Sequence, residues 1–392
     1  MSYQLSVISY QLMVTAAGHS DRGLRKGLLG LGVAFLLCAL LMPFGIRLAR
    51  RLGVIDRPVG DKIHLRPTPL MGGVAIAVAF FVTVPWLVPL YHAGRRDVGL
   101  TGLYTGCALA ALLGVVDELW TLKPRVHFLG QVAVVLVAWW AGFPLISHFR
   151  NPLTPAGVGS QDLPIFFPLG LLFTIFWIVG MMNTVNFLDG LDGLAGGVTA
   201  IAALFLGLWE AVVSTTFVPS HLDQNVILPL ILCGAIVGFL IYNWAPARVF
   251  MGDSGAMFIG FSLGALSLFG TLKFGTALLL LIVPIIDVAW AIVRRLLGRR
   301  SFASGDKHHI YHRMLDLGLS RRVVVLLFCA LCLAFGLIDL NVYGRSKLVA
   351  FAIIAALAAS GAVALEIRGR RGAARAAATS VTSGARDSAE RV

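Results

Sequence analysis

The chain has 392 residues, 58% of them hydrophobic and 13% charged, with a mean hydropathy of +0.86. Soluble domains run at about 45–50% apolar and about 25% charged residues, so this composition excludes a soluble fold and indicates a polytopic membrane protein. A net charge of +13 invites a nucleic-acid reading, but the basic residues are not massed in one polar domain; membrane topology explains them, and no nucleic-acid partner is expected.

In chain order, apolar runs of membrane length fall at 27–46, 71–91, 98–116, 126–146, 165–182, 194–213, 226–242, 255–272, 274–293, 323–340 and 346–365. The fifth and seventh are short, and the eighth and ninth are parted by little more than Lys273. The expectation is therefore an all-α protein of ten or eleven transmembrane helices. Residues 1–26 read as an extracytoplasmic N-terminal segment without the basic n-region of a cleavable signal, 27–366 as the transmembrane domain, and 367–392 as a disordered basic cytoplasmic tail. Cys38, Cys107, Cys233, Cys329 and Cys332 all lie inside apolar runs. That implies neither a disulfide framework nor a metal site, despite the close spacing of Cys329 and Cys332.

Alternate numbering of the connections from an outside N-terminus puts 23 of the 32 Lys and Arg residues on the cytoplasmic side, as the positive-inside rule requires. The same alternation places every polar, motif-like connection on that side: DRPVGDKIHLRPTPLMGG, DELWTLKPR, NTVNFLDGLDG, NWAPARVFMGDSG and GDKHHIYHRMLDLG. One cytoplasmic-face site assembled from five loops is the inference. Broken helices and charges near the bilayer midplane would instead indicate a transporter, which stays as the competing class.

The carboxylates carry the chemistry. Asp117 and Glu118 close the third run, where adjacent acids suit Mg²⁺ or general-base work, although a polar helix end facing headgroups would look the same. Asp189 and Asp192 are three apart, on one face of a helical turn, beside Asn183 and Asn186; helix capping accounts for one aspartate but not for the whole group. Asp253, within FMGDSG and ten residues after Asn243, adds a further acid in a glycine-flanked turn suited to phosphate or metal. The cationic complement comprises Lys62, His64, Arg66, Lys123, Arg125 and the stretch from His308 to Arg313. Carboxylates with metal, facing Lys and Arg, suit phosphoryl transfer. By spacing alone His308, His309 and His312 also allow a zinc site, without an evident fourth ligand.

NTVNFLDGLDGLAGG, NWAPARVFMGDSGAMFIG, HLRPTPLMGG, LKPRVHFLGQ and GDKHHIYHRMLDLGLS together resemble the polyprenyl-phosphate N-acetylhexosamine-1-phosphate transferase family, from about Arg57 to about Ser320. The resemblance implies a Mg²⁺-dependent enzyme, Mn²⁺ being an alternative ion, in the bacterial inner membrane with its active site on the cytoplasmic face. It would move a sugar-1-phosphate from a UDP-N-acetylhexosamine to undecaprenyl phosphate, release UMP and start a lipid-linked envelope glycan. Membrane lipids and a second copy of the chain, as a homodimer, are the other partners implied; the alternative is a non-catalytic or transporter-like relative that binds lipid-linked sugar.

Position by position, the resemblance implies that Asp117 is a base or metal-side residue, with Glu118 beside it. Asp253 holds the metal with Asp189, and Asn186, Asp189 and Asp192 form the nucleotide and metal side. Lys62, His64, Arg66, Lys123, Asn183, Asn243, His309, His312 and Arg313 contact substrates. Three departures stand out: Glu118 for a second aspartate, His127 where the family has lysine, and Tyr311 for a histidine. The late motif is also unlike the triple-histidine form of the peptidoglycan-precursor branch.

Overall fold

The computed structural model describes residues 2–58, 67–89, 91–92, 95–150, 162–214, 223–269, 273–297, 309–342, 346–347, 349–357 and 360–361. Helices dominate. They are α1 (Ser2–Leu52), α2 (Gly72–Leu87), α3 (Val98–Trp120), α4 (Pro124–Trp140), α5 (Phe167–Leu188), α6 (Leu194–Trp209), α7 (Gln224–Asn243), α8 (Gly252–Leu268), α9 (Lys273–Leu280), α10 (Ile282–Leu297), α11 (Ile310–Asp316) and α12 (Arg321–Asp339). Among the described residues, three short antiparallel pairs lie in the connections: Ile55–Asp56 with Thr68–Pro69, Tyr91–His92 with Arg95–Arg96, and His148–Arg150 with Asp162–Pro164.

Among the described residues, six helical segments are long and apolar enough to cross a membrane: Arg22–Leu52, Val98–Trp120, Phe167–Leu188, Leu194–Val212, Gln224–Asn243 and Arg321–Asp339. Gly72–Leu87 is a shorter apolar helix. Several boundaries differ from the hydropathy reading; α5, for one, continues to Leu188 and so carries Asn183 and Asn186 in a helix rather than a loop. The backbone of α1 is helical from Ser2, through residues read as an N-terminal segment. The ninth apolar run is split into α9 and α10, because Pro284 has no N–H to offer the preceding turn and its ring crowds the carbonyl four residues back.

Helix starts follow local chemistry. Asp97 caps α3 by accepting from the Leu100 N–H at 3.0 Å, Pro124 occupies the first turn of α4, and the Ser320 hydroxyl accepts from the Val323 N–H; each satisfies or removes a donor that a helix start leaves unpaired. Helix α8 sits at the centre, buried along its whole length from Ser254 to Ser267. It packs between α2, α3 and α5. The outer helices α1 and α12 keep apolar side chains exposed, among them Leu36, Leu40, Phe44, Leu326 and Leu337, as a lipid-facing surface requires.

The packing gathers several connections at one end of the bundle. The Phe250 N–H donates to Pro69 O (2.9 Å), while the Gly72 and Gly73 N–H groups donate to Phe250 O and Met251 O (3.0 and 2.9 Å). The PLMGG and FMGDSG loops are thereby backbone-paired. Arg322 adds the start of α12, donating to Ala245 O at 3.2 Å.

Candidate active site

Four carboxylates from three elements converge at this end. Asp117 and Glu118 lie in the last turn of α3, Asp189 caps the C-terminus of α5, and Asp253 lies in the first turn of α8. Gly114 is what lets α3 approach: a Cβ there would fall 2.3 Å from the Asp253 carbonyl oxygen, so a larger residue would push the two acidic turns apart.

Each acid has distinct partners. Asp117 accepts from the Leu122 N–H through Oδ1 at 2.6 Å, and its Oδ2 pairs with His127 Nδ1. The corner at Lys123–Pro124 turns α4 back so that His127 reaches it. Glu118 Oε1 accepts from both the N–H (3.0 Å) and the hydroxyl (2.8 Å) of Ser254, whereas its Oε2 is buried with no hydrogen-bond partner. Gly252, at φ 71°, starts α8 in the left-handed region, and a Cβ on it would stand 2.2 Å from Glu118 Oε1. Position 252 therefore needs glycine on two counts. Asp253 Oδ1 accepts from Asn186 Nδ2 at 2.6 Å. Asp189 accepts from the Gly252 N–H; burial first, and then the Asp253 charge, raises its carboxyl well above the ordinary 3.8. Desolvation and like charge both favour the protonated acid.

Other expected residues are placed elsewhere or serve the scaffold. Asp192 accepts from the Ala247 N–H at 3.0 Å and holds the loop after α7. Asn243, expected at the substrate, is buried. Its Oδ1 accepts from the Gly193 N–H and its Nδ2 donates to Val249 O, both at 2.9 Å, so it ties the two acidic loops together. Asn183 points into the helix interface and donates to Gln131 Oε1 (2.8 Å) and Val179 O (2.8 Å). Lys123 and Arg125 are exposed at the start of α4, and His312 and Arg313 are half-buried on α11. Lys62, His64 and Arg66, like His308, lie outside the described residues.

His309 is buried, 4% exposed. Its Nδ1 lies 2.9 Å from Asp287 Oδ2, and its ring stacks on Tyr311 with 4° between the planes. The Tyr311 hydroxyl abuts Gly190, where a Cβ would fall 2.1 Å away. Burial, followed by Asp287 and Asp189, pushes that hydroxyl above its ordinary 10.0, so it stays protonated. Asp287 and Gln131 were not singled out from the sequence. A lone carboxylate inside the apolar run 274–293 was the available signal for Asp287.

Among the described residues no group of three or more His, Cys, Asp or Glu side chains forms a metal cage. The donor set does fit Mg²⁺, which takes one or two carboxylates and completes its shell with water and substrate phosphates. The burial and like-charge repulsion felt by Asp189 (from Asp253) and by Asp253 (from Asp117), and the unpartnered Glu118 Oε2, are what a cation would relieve.

These features define a multi-pass membrane protein with an acidic, phosphate-adapted site at one end of its helices. The description "Glycosyl transferase family 4" matches residues 100–271. A probable undecaprenyl-phosphate N-acetylglucosaminyl 1-phosphate transferase of Bacillus subtilis is 30% identical over 302 residues, 75% of this chain and 78% of that protein. A decaprenyl-phosphate N-acetylglucosaminephosphotransferase of Mycolicibacterium smegmatis is 32% identical over 79% of this chain and 81% of its own length. A phospho-N-acetylmuramoyl-pentapeptide-transferase of Geobacillus kaustophilus is 30% identical over 80% and 97% respectively. The chain belongs to glycosyl transferase family 4.

Proposed function

We propose that this protein transfers N-acetylglucosamine 1-phosphate from its UDP-sugar to undecaprenyl phosphate or a related polyprenyl phosphate, releasing UMP and initiating an envelope polysaccharide. The convergence of Asp117, Glu118, Asp189 and Asp253 carries this reading: one acidic cluster next to a polar loop system in a chain otherwise built for lipid. The names of the relatives supply the sugar and the class of acceptor. The charge asymmetry supports an inner-membrane location with the site and the C-terminus in the cytoplasm and the N-terminus outside.

In the reaction, a phosphate oxygen of the lipid attacks the donor phosphorus that bears the sugar. The bond from that phosphorus to the bridging oxygen breaks, and UMP departs with that oxygen. Asp117, paired to His127, is placed to accept a proton from the lipid phosphate, with the imidazole stabilising the charge. Asp253 and Asp189 are the residues that would hold Mg²⁺, with Mn²⁺ as the substitute ion. A bound divalent cation neutralises the diphosphate charge, the main contribution of metals to phosphoryl transfer. Asn186 fixes the Asp253 carboxylate, and Glu118 fixes the turn that carries it. His312, Arg313, Lys123 and the loop holding Lys62, His64 and Arg66 are the cationic groups available to the two phosphate substrates.

The test is purified protein with Mg²⁺, undecaprenyl phosphate and a panel of UDP-hexosamines, followed by identification of the nucleotide. UMP supports phosphosugar transfer and the best donor names the sugar. UDP indicates ordinary glycosyl transfer and overturns the reaction; no release with any donor indicates a non-catalytic relative.

A further inference from the structure

Asp287 is a carboxylate near this end of the bundle that the proposed reaction leaves without a part. It lies in α10, which meets α5, and is 7% exposed. Both of its oxygens are engaged by one short stretch of chain. Oδ2 lies 2.9 Å from His309 Nδ1, and Oδ1 accepts from the Ile310 N–H at 3.0 Å. An anion that receives Nδ1–H holds the imidazole in one tautomer and one orientation, as carboxylates behind functional histidines do. The restraint continues beyond His309. Its ring centroid lies 5.3 Å from that of Phe187, in the last turn of α5, and 5.8 Å from that of Tyr311, to which it is parallel. Tyr311 in turn closes on Gly190, next to Asp189.

We propose that Asp287 is a positioning residue of the active site, acting through His309 and Tyr311 to hold the turn that carries Asp189. The inference deepens the proposed function and rests on it. Asp287 contacts no reacting atom; its effect belongs on the cation and donor side, where Asp189 sits, and not on the lipid acceptor, which faces Asp117 and His127. Replacing it with asparagine keeps the volume and an acceptor for Ile310. The amide then either forces the other imidazole tautomer or gives up one of the two contacts. Behind a functional residue such a change costs about 10–100-fold.

The experiment measures UMP release by Asp287→Asn, His309→Gln and the double variant, with UDP-N-acetylglucosamine, undecaprenyl phosphate and Mg²⁺ titrated separately. Amide hydrogen exchange across 187–193 is followed in the same proteins. Expected are a rise of about tenfold in donor KM and in half-activating Mg²⁺, an unchanged acceptor KM, and faster exchange in the turn. In the His309→Gln background Asp287→Asn should add little, since both act through one chain of contacts. Fully additive losses, or equal changes in both KM values, overturn the inference. If the wild-type protein releases no UMP the functional reading fails, and the exchange data still decide this one: protection unchanged by Asp287→Asn refutes it.

Discussion

Asn186 Nδ2 donates to Asp253 Oδ1 at 2.6 Å, and this contact joins the last turn of α5 to the first turn of α8. Asparagine supplies a donor without adding charge to a site already crowded with carboxylates. Asn186→Ala should lower kcat by about 10–100-fold with little change in melting temperature, as expected for loss of a residue that orients the proposed metal ligand Asp253. Asn186→Asp should be worse at limiting Mg²⁺ and improve as Mg²⁺ is raised. Steady-state UMP release against Mg²⁺ concentration checks both.

Asn243 makes the contrasting case. Its amide joins Gly193 to Val249 from a buried position, so Asn243→Ala leaves a donor and an acceptor unpaired. A loss of about 1–3 kcal/mol in stability is expected, with KM for both substrates unchanged in the fraction that stays folded. Thermal unfolding in detergent, read beside kinetics on freshly prepared protein, separates the two effects.

Glu118 reaches Ser254 with a side chain one methylene longer than aspartate. In Glu118→Asp the carboxylate should fall short of the Ser254 N–H and hydroxyl that it now accepts, loosening the start of α8. The expected result is a stability loss of about 1–3 kcal/mol together with reduced turnover, even though the substitution installs the more usual acid pair. Ser254→Ala, which keeps the N–H contact, should cost only about 0.5–1.5 kcal/mol. Paired unfolding curves for the two variants check the order.

The raised Asp189 carboxyl makes metal-free stability depend on pH. A folded-state value above the unfolded one means that the folded protein binds the extra proton. The contribution of this group is therefore fully present below the ordinary 3.8 and is lost as pH rises through the raised value. Protein in EDTA should melt at lower temperature as pH increases through that window. Added Mg²⁺ should restore more of the loss at the higher pH, where the carboxylate is free to bind it. Melting temperatures across pH, with and without Mg²⁺, test the sign; a metal-free protein that gains stability over this range through Asp189 contradicts it, and Asp189→Asn provides the control.

Gly190 leaves the space that Tyr311 occupies, since a Cβ there would fall 2.1 Å from the hydroxyl and 2.7 Å from the ring carbon that bears it. Gly190→Ala should therefore displace either the turn or α11 and reduce activity. Tyr311→Phe in the same chain should recover only part, because the ring carbon stays close. Activities of the two single variants and the double variant provide the check.

Length, composition and periodicity were enough to determine a multi-pass helical protein, because each helix must satisfy its own backbone in lipid and the apolar runs that do so are visible in one dimension. The acids of the site were legible for the same reason: Asp117, Glu118, Asp189 and Asp253 stand at the ends of apolar runs, where only a function justifies the desolvation they incur. Residue type and spacing could not distinguish an asparagine that orients a carboxylate, as Asn186 does, from one that ties two loops together, as Asn243 does. Only packing decides which partner lies within 3 Å. Asp287 was hidden inside an apolar run until α10 and α11 brought it against His309, and Gly114 and Gly252 had no meaning until α3 and α8 closed on one another. Contacts between groups more than 100 residues apart, such as Glu118 with Ser254, arise from the tertiary fold alone, because no local preference of the chain encodes them.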